Sequence, residues 1–464
     1  MEVPECLSCK AAQARIVELE AKILELEAKL RDLMDKLKPP APPREQTKLP
    51  DAPGKKSTGR KPGGQKGHPP ILKVRMPPER IDKVIPLIPH QCSKCQAALP
   101  KEMGPKDPQP TWHQVAELPP LTAVVTEYQG HYRTCPCCGE VNHATIPAEI
   151  RAHSVGPRLS AAASYLAGRH GMSKRGIEET IEDVFGVPIA LGTVANLEQE
   201  MSAALIPAHE EALKAVQEAP VKNVDETGWK QNGKKRWLWV AATANLTAFI
   251  ISPWRNLTAL TRLLGSQMAG ILCSDRWRTY DEWPVMRRQV CWAHLKRNWE
   301  KLVEKGSQKA RSIGTTCLAI HHRVFELWHL YRGGSMTFDQ LDNEMLPLML
   351  ELREALRAGT RSRDLKLVRH CDRVLQIAPA LWAFLVCEGV EPTNNHAERV
   401  LRPAVLWRRR SFGCHSIDGC RFVERILTVV QSLRLQKRNV LTFLQDAIRA
   451  HRAGEKGPQL VKMG

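Results

Sequence analysis

Strand-sized apolar runs cluster at 221–275 of this chain, and that clustering limits what it can fold into. They are Val221-Lys-Asn-Val224, Arg236-Trp-Leu-Trp-Val-Ala-Ala-Thr243, Ala248-Phe-Ile-Ile-Ser252 and Gly270-Ile-Leu-Cys-Ser274. Asn245 marks a turn between the second and third, and a helical pattern at 256–264 precedes the fourth. Residues 150–215, and those from 286 onward, read as helical. Strand, hairpin and strand between helical blocks predict a multidomain α/β protein with one mixed core. Its first part is 216–285, a long all-helical insertion fills 286–390, and 391–452 returns to complete the core and adds C-terminal helices.

The residues ahead of that core are of other kinds. Ile16, Leu19, Ile23, Leu26, Leu30, Leu33 and Leu37 alternate spacings of three and four, so 11–38 predicts a parallel two-stranded coiled coil. Residues 39–75 form a Pro-, Gly-, Lys- and Arg-rich linker that cannot bury a core. Within it Arg60, Lys61 and Lys66 are candidate phosphate contacts, as in other short basic arms. Residues 76–145 hold Cys92-x-x-Cys95 and Cys135-x-x-Cys138, a donor set for one tetrahedral structural Zn²⁺. Val124–Tyr128 between the pairs reads as a strand. Cys6-x-x-Cys9 is a third pair, either free thiols or a zinc shared between protomers. In 150–215, Gly176–Gly186 and Val187–Val194 suggest helix, turn and helix, with Thr193 early in the second helix; the pair either reads DNA or only packs.

A formal charge of +19 and a pI near 9.5 favour a polyanionic partner, nucleic acid above all. No secretory leader and no long apolar run is visible, so a cytoplasmic location is expected.

Three acids stand where catalytic carboxylates would be placed. Asp225 and Asp275 each follow an apolar strand-like run, and Glu398 lies at a helix start in Asn394-Asn-His-Ala-Glu-Arg399. Carboxylate oxygens suit Mg²⁺ or Mn²⁺, and two such ions can act on both sides of a phosphodiester in line. Arg399, Arg402, Arg408, Arg409 and Arg410 follow Glu398 and would face phosphate. The structural alternatives are turn roles for the two aspartates and helix capping by Asn395 and Glu398. Asp281 and Glu282 are fallback metal ligands. Trp229 and Trp277 beside the acids are read as core residues.

Six stretches in order resemble transposases of the insertion sequence 66 family. They are Lys61–His68, Cys135–Gly139, Val224–Trp229, Ser274–Trp277 with Tyr280, Cys291–Arg297 and Asn394–Arg399. The resemblance implies a ribonuclease H-like core with a D-D-E triad of Asp225, Asp275 and Glu398. It implies metal-dependent nicking of element ends and joining of the freed 3′ hydroxyls to target DNA. The partners implied are double-stranded DNA, a second copy of the chain and small accessory proteins, at the bacterial nucleoid. His294 lies in a shared motif and would position water or touch phosphate. A DNA-binding regulator without catalysis, and a nuclease that cuts without joining, are the other readings.

Overall fold

The computed structural model describes residues 75–105 and 107–461. The predicted coil at 11–38, Cys6, Cys9, Arg60, Lys61 and Lys66 lie outside the described residues. The chain divides into two compact units, Met1–Ala116 and Glu117–Gly464. In the first, a tight turn at Cys92–Cys95 is closed by a bridge between Gln91 and Ala98.

The second unit opens with an antiparallel hairpin of β1 (Tyr132–Thr134) and β2 (Val141–His143), which flanks the turn at Cys135–Cys138. The strand expected at Val124–Tyr128 is absent: the segment is irregular, and Val124 and Val125 are exposed. An apolar run becomes a strand only where a neighbour takes its backbone ladder, and no strand among the described residues pairs with this one.

Helices α1 (Ala148–Arg151), α2 (Pro157–His170), α3 (Lys174–Phe185), α4 (Leu191–Ala204) and α5 (Ile206–Glu218) follow. Ser173 caps α3, its side chain accepting from Gly176 N, and Gly186 ends it in the left-handed conformation. Thr193 is the third residue of α4.

The central sheet contains β3 (Val221–Gln231), β4 (Lys234–Ala242), β5 (Thr247–Ser252), β6 (Ile271–Ser274) and β7 (Arg288–Val290), in the order β5-β4-β3-β6-β7. The first three are antiparallel neighbours, while β6 and β7 run parallel to β3. Helix α6 (Leu257–Leu264), capped by Asn256, carries the chain from β5 to β6. Strand β7 lies within the stretch predicted to be wholly helical from 286. Its sequence is Arg-Gln-Val, all three buried, so it has no apolar alternation to announce it.

Helices α7 (Trp292–Lys305), α8 (Gln308–Arg332), α9 (Phe338–Thr360) and α10 (Leu365–Gln376) form the insertion. The chain returns through α11 (Asn395–Ser411), α12 (Ile417–Leu435) and α13 (Val440–Ala453). Two apolar cores result. One joins α2–α5, β3–β5 and α11–α13; the other joins β6, β7 and α7–α10 around Trp292, Trp299, Trp328 and Trp382.

Strand β5 is an edge strand, and α12 covers its free side. Thr247 N donates to Ser432 Oγ at 2.9 Å, Phe249 N to Thr428 Oγ1 at 2.9 Å, and Ile251 N to Glu424 Oε1 at 2.6 Å. Four helical residues rise about 6 Å and two strand residues about 7 Å, so the steps match. A row of polar side chains thus replaces the missing sixth strand and holds α12 against the sheet.

Candidate active site

Asp225 sits in the interior of β3, not at its end. The strand continues to Gln231, because β4 pairs with it residue by residue from Asn223 to Gln231. On the other side β6 pairs only with Val221–Asn223. Past Asn223 one edge of β3 is therefore open, and Asp225 stands on that edge. Asn223 is opposite Cys273, so the same register carried two residues further sets Asp225 level with Asp275. Both aspartates thus lie just beyond the carboxyl end of the parallel part of the sheet, where open α/β sheets form their crevices.

Glu398 lies in the first turn of α11, and Asn394, the residue before that helix, fixes it to β3. Asn394 is buried. Its Nδ2 donates to Val224 O at 2.7 Å, and its Oδ1 accepts from Asn223 Nδ2 at 3.0 Å. Its backbone N–H donates to Cys291 Sγ at 3.2 Å, which ties in the start of α7. One side chain therefore binds the helix carrying Glu398 to the residues directly preceding Asp225. The capping role considered for Asn395 and Glu398 is not seen, since the Glu398 carboxylate turns towards α7. Its Oε1 is 3.9 Å from His294 Nδ1 and 3.8 Å from Arg297 Nη2.

The electrostatics of the three acids are linked. Burial, and then the negative charges of Glu226, Glu398 and Asp275, push the Asp225 carboxyl up to about 7. Burial, followed by the positive charge of Arg297, lowers the His294 imidazole below its usual value. His294 Nδ1 is buried and has no hydrogen-bond partner. Asp275 also serves its turn, with Oδ1 accepting from Trp277 N at 2.8 Å. Among the described residues, no three His, Cys, Asp or Glu side chains stand close enough together to enclose a metal ion. The excess of neighbouring carboxylates nevertheless matches the donor chemistry of a hard divalent cation, whose charge would offset their repulsion.

Sequence reasoning missed the support around Asp225. The Glu226 side chain is 2% exposed and accepts from Tyr280 Oη and from Arg255 Nε, the latter at 2.8 Å. The Arg255 guanidinium lies over the rings of Trp277 at 4.1 Å and Trp237 at 4.8 Å. The only signal for this support was the position of Glu226 beside Asp225. Trp229 is a core residue, its Nε1 donating to Cys414 Sγ, and Trp277 packs against the same core.

Other candidates divide. Arg399, Arg402, Arg409 and Arg410 are exposed on α11. Arg408, expected to face phosphate, instead donates to Thr227 Oγ1 and Gly228 O and holds the helix to β3. Asp281 is no free metal ligand, because Arg288 and Arg373 both pair with it. In the α3–α4 pair, α3 exposes Lys174 and Arg175 at its start and Glu179, Glu182 and Asp183 further on. Each C-x-x-C turn points backbone N–H groups at its first sulfur: Cys92 and Cys135 are both lowered mainly by the backbone amides of Cys95 and Cys138 respectively.

Comparison with known proteins gives the family of the chain that carries this arrangement. A family model described as "Transposase IS66 family" matches residues 153–421 and so includes Asp225, Asp275, His294 and Glu398. The chain belongs to that family. It is also 24% identical over 243 residues to "Uncharacterized protein y4qI" of Sinorhizobium fredii (strain NBRC 101917 / NGR234), covering 46% of this chain and 43% of that protein. The chain thus spans less than half the length of that relative. Among the described residues, no helix is long and apolar enough to cross a membrane.

Proposed function

We propose that the protein nicks the ends of an insertion sequence and joins them to target DNA. Water first cleaves a phosphodiester, leaving a 3′ hydroxyl and a 5′ phosphate. That hydroxyl then attacks a phosphorus of the target strand and displaces the target's own 3′ oxygen, so each joining step forms one phosphodiester and breaks one. The observation that carries the reading is the level placement of Asp225 and Asp275 at an open strand edge, with α11 and Glu398 pinned beside them by Asn394. The strand order β5-β4-β3-β6-β7, antiparallel then parallel, supports a ribonuclease H-like core.

Asp225, Asp275 and Glu398 would hold Mg²⁺ or Mn²⁺. When bound, a pair of such ions activates the attacking oxygen and stabilises the leaving one. Glu226, locked by Tyr280 and Arg255, keeps the β3 edge rigid beside Asp225. Cationic Arg297 draws the Glu398 carboxylate to the α7 side of the cleft, where His294 stands beside it. Arg399, Arg402 and Arg409 take DNA phosphates along the exposed side of α11. Each C-x-x-C turn, Cys92–Cys95 and Cys135–Cys138, would give two thiolates to structural Zn²⁺, with its amide-directed first sulfur as support.

The test incubates purified protein with a labelled duplex carrying the element's ends and a plasmid target, with Mg²⁺ or Mn²⁺, comparing wild type with Asp225→Ala. Nicked and joined products from wild type alone are expected. Nicks without joined product would replace the reading with a nuclease, and binding without cleavage by either protein would favour a regulator.

A further inference from the structure

Next to Asp275 in the chain begins a group of basic side chains with too few partners. Arg288 is 1% exposed; its Nη1 donates to Asp281 Oδ1 at 2.9 Å, while its Nε and Nη2 have no partner. Arg276, the residue after Asp275, has a buried Nε without a partner, and so does His370 at Nε2. Arg373 pairs with the other oxygen of Asp281 and repels Arg276, which in turn repels a protonated His370. Among the described residues, Asp281 is the one carboxylate paired with Arg288 and Arg373, and none pairs with Arg276. Buried N–H groups in folded proteins are almost always satisfied, by an ion or water where no protein group is available. Arginine forks suit phosphate in particular.

We propose that Arg276, Arg288, His370 and Arg373 form a phosphate-binding site next to Asp275, which takes a backbone phosphate of the DNA near the bond being cut. Asp281 occupies part of the seat in the free protein, and the arriving phosphate shares Arg373 with it. Arg373 is half-exposed and forms the entrance. The site would give α10, an element of the helical insertion, a direct part in aligning the strand at Asp275. The DNA source of the phosphate rests on the transposase reading above; the site itself does not, since its test reads binding and never cleavage.

The experiment uses the full chain as wild type, Arg373→Gln, Arg373→Lys, and Arg353→Gln as a control on an exposed arginine of α9. Fluorescence anisotropy with a random-sequence duplex over a salt series gives the slope of log K against log salt. Arg373→Gln is expected to reduce its magnitude by about 0.9, one phosphate contact, with Arg373→Lys restoring most of it. Arg353→Gln is expected to leave it unchanged. In parallel, inorganic phosphate should raise the melting temperature of wild type above chloride at equal ionic strength, and do so less for Arg373→Gln. A phosphate-specific shift with an unchanged DNA slope would assign the site to free phosphate. Equal slopes for all four proteins with no phosphate-specific shift would overturn the site and leave water as the partner of the buried donors. Loss of nicking by Asp225→Ala would affect neither readout.

Discussion

Asp225→Asn should stabilise the metal-free protein, and by more at pH 8 than at pH 5. The Asp225 carboxyl is raised from 3.8 to about 7 in the fold, by burial first and by Glu226, Glu398 and Asp275 after it. A raised carboxyl means that the native state holds its proton where the unfolded chain has already lost it. Stability therefore falls as pH climbs from the unfolded value to the folded one, and levels off above it. Between pH 5 and pH 8 the unfolded chain is ionised throughout, while the native carboxyl loses its proton near 7. The penalty in that interval grows by about two units at roughly 1.4 kcal/mol each, so by about 2–3 kcal/mol. Asparagine carries no charge and escapes this loss. In thermal unfolding without divalent cations, the melting temperature of Asp225→Asn minus that of wild type should thus rise by about 3–4 °C between pH 5 and pH 8, at about 2.1 cal/mol/K of unfolding entropy per residue in a unit of this size. Adding Mg²⁺ at pH 8 should raise wild type and leave the variant nearly unmoved. A difference that is the same at both pH values would refute the claim that neighbouring charge and burial act on Asp225.

Three further outcomes follow from the same geometry. Thr428→Val keeps the shape of the side chain but leaves the buried Phe249 N–H unpaired, so chemical denaturation should show a loss of about 1–3 kcal/mol, with Thr428→Ser losing less. Asn394→Ala should slow nicking while leaving the affinity for DNA within about twofold, because it frees the helix carrying Glu398 and removes no phosphate contact; equal losses in both assays would count against a positioning role. Glu398→Gln should retain DNA binding and lose nicking, and undiminished nicking would move the third acid elsewhere.

What the sequence disclosed depended on whether a residue's role is local. Strands β3 to β6 are marked by apolar runs, and Asp225 and Asp275 by their places after such runs. Strand β7 was hidden because its burial is set by tertiary packing around Arg288 and Gln289, two polar residues with no strand pattern. Arg408 shows the same limit for charge. It follows Glu398 in a basic series with Arg409 and Arg410, yet only it donates to β3, and nothing in the series singles it out. Glu424, Thr428 and Ser432 lie four apart on α12 among Ile426, Leu427, Val429 and Val430. A periodicity scan sees polar interruptions there; that they complete the β5 edge follows only from the neighbouring strand.

The arrangement of α11 explains how a distant segment can deliver a carboxylate to Asp225. Glu398 lies far from Asp225 along the chain, with the whole helical insertion between them, so local geometry cannot position it. Two brackets do so, one near each end of the helix. Asn394 binds the start of α11 to Asn223 and Val224, just before Asp225, and Arg408 binds its last turn to Thr227 and Gly228, just after it. Both brackets grip one six-residue stretch of β3, Asn223–Gly228, so the helix and the strand are held together. The insertion can then shift beyond α7 when DNA binds without moving α11 along β3. It reaches the site by another route, through Arg373 and His370 on the Asp275 side, which is where a strand of DNA would have to be aligned.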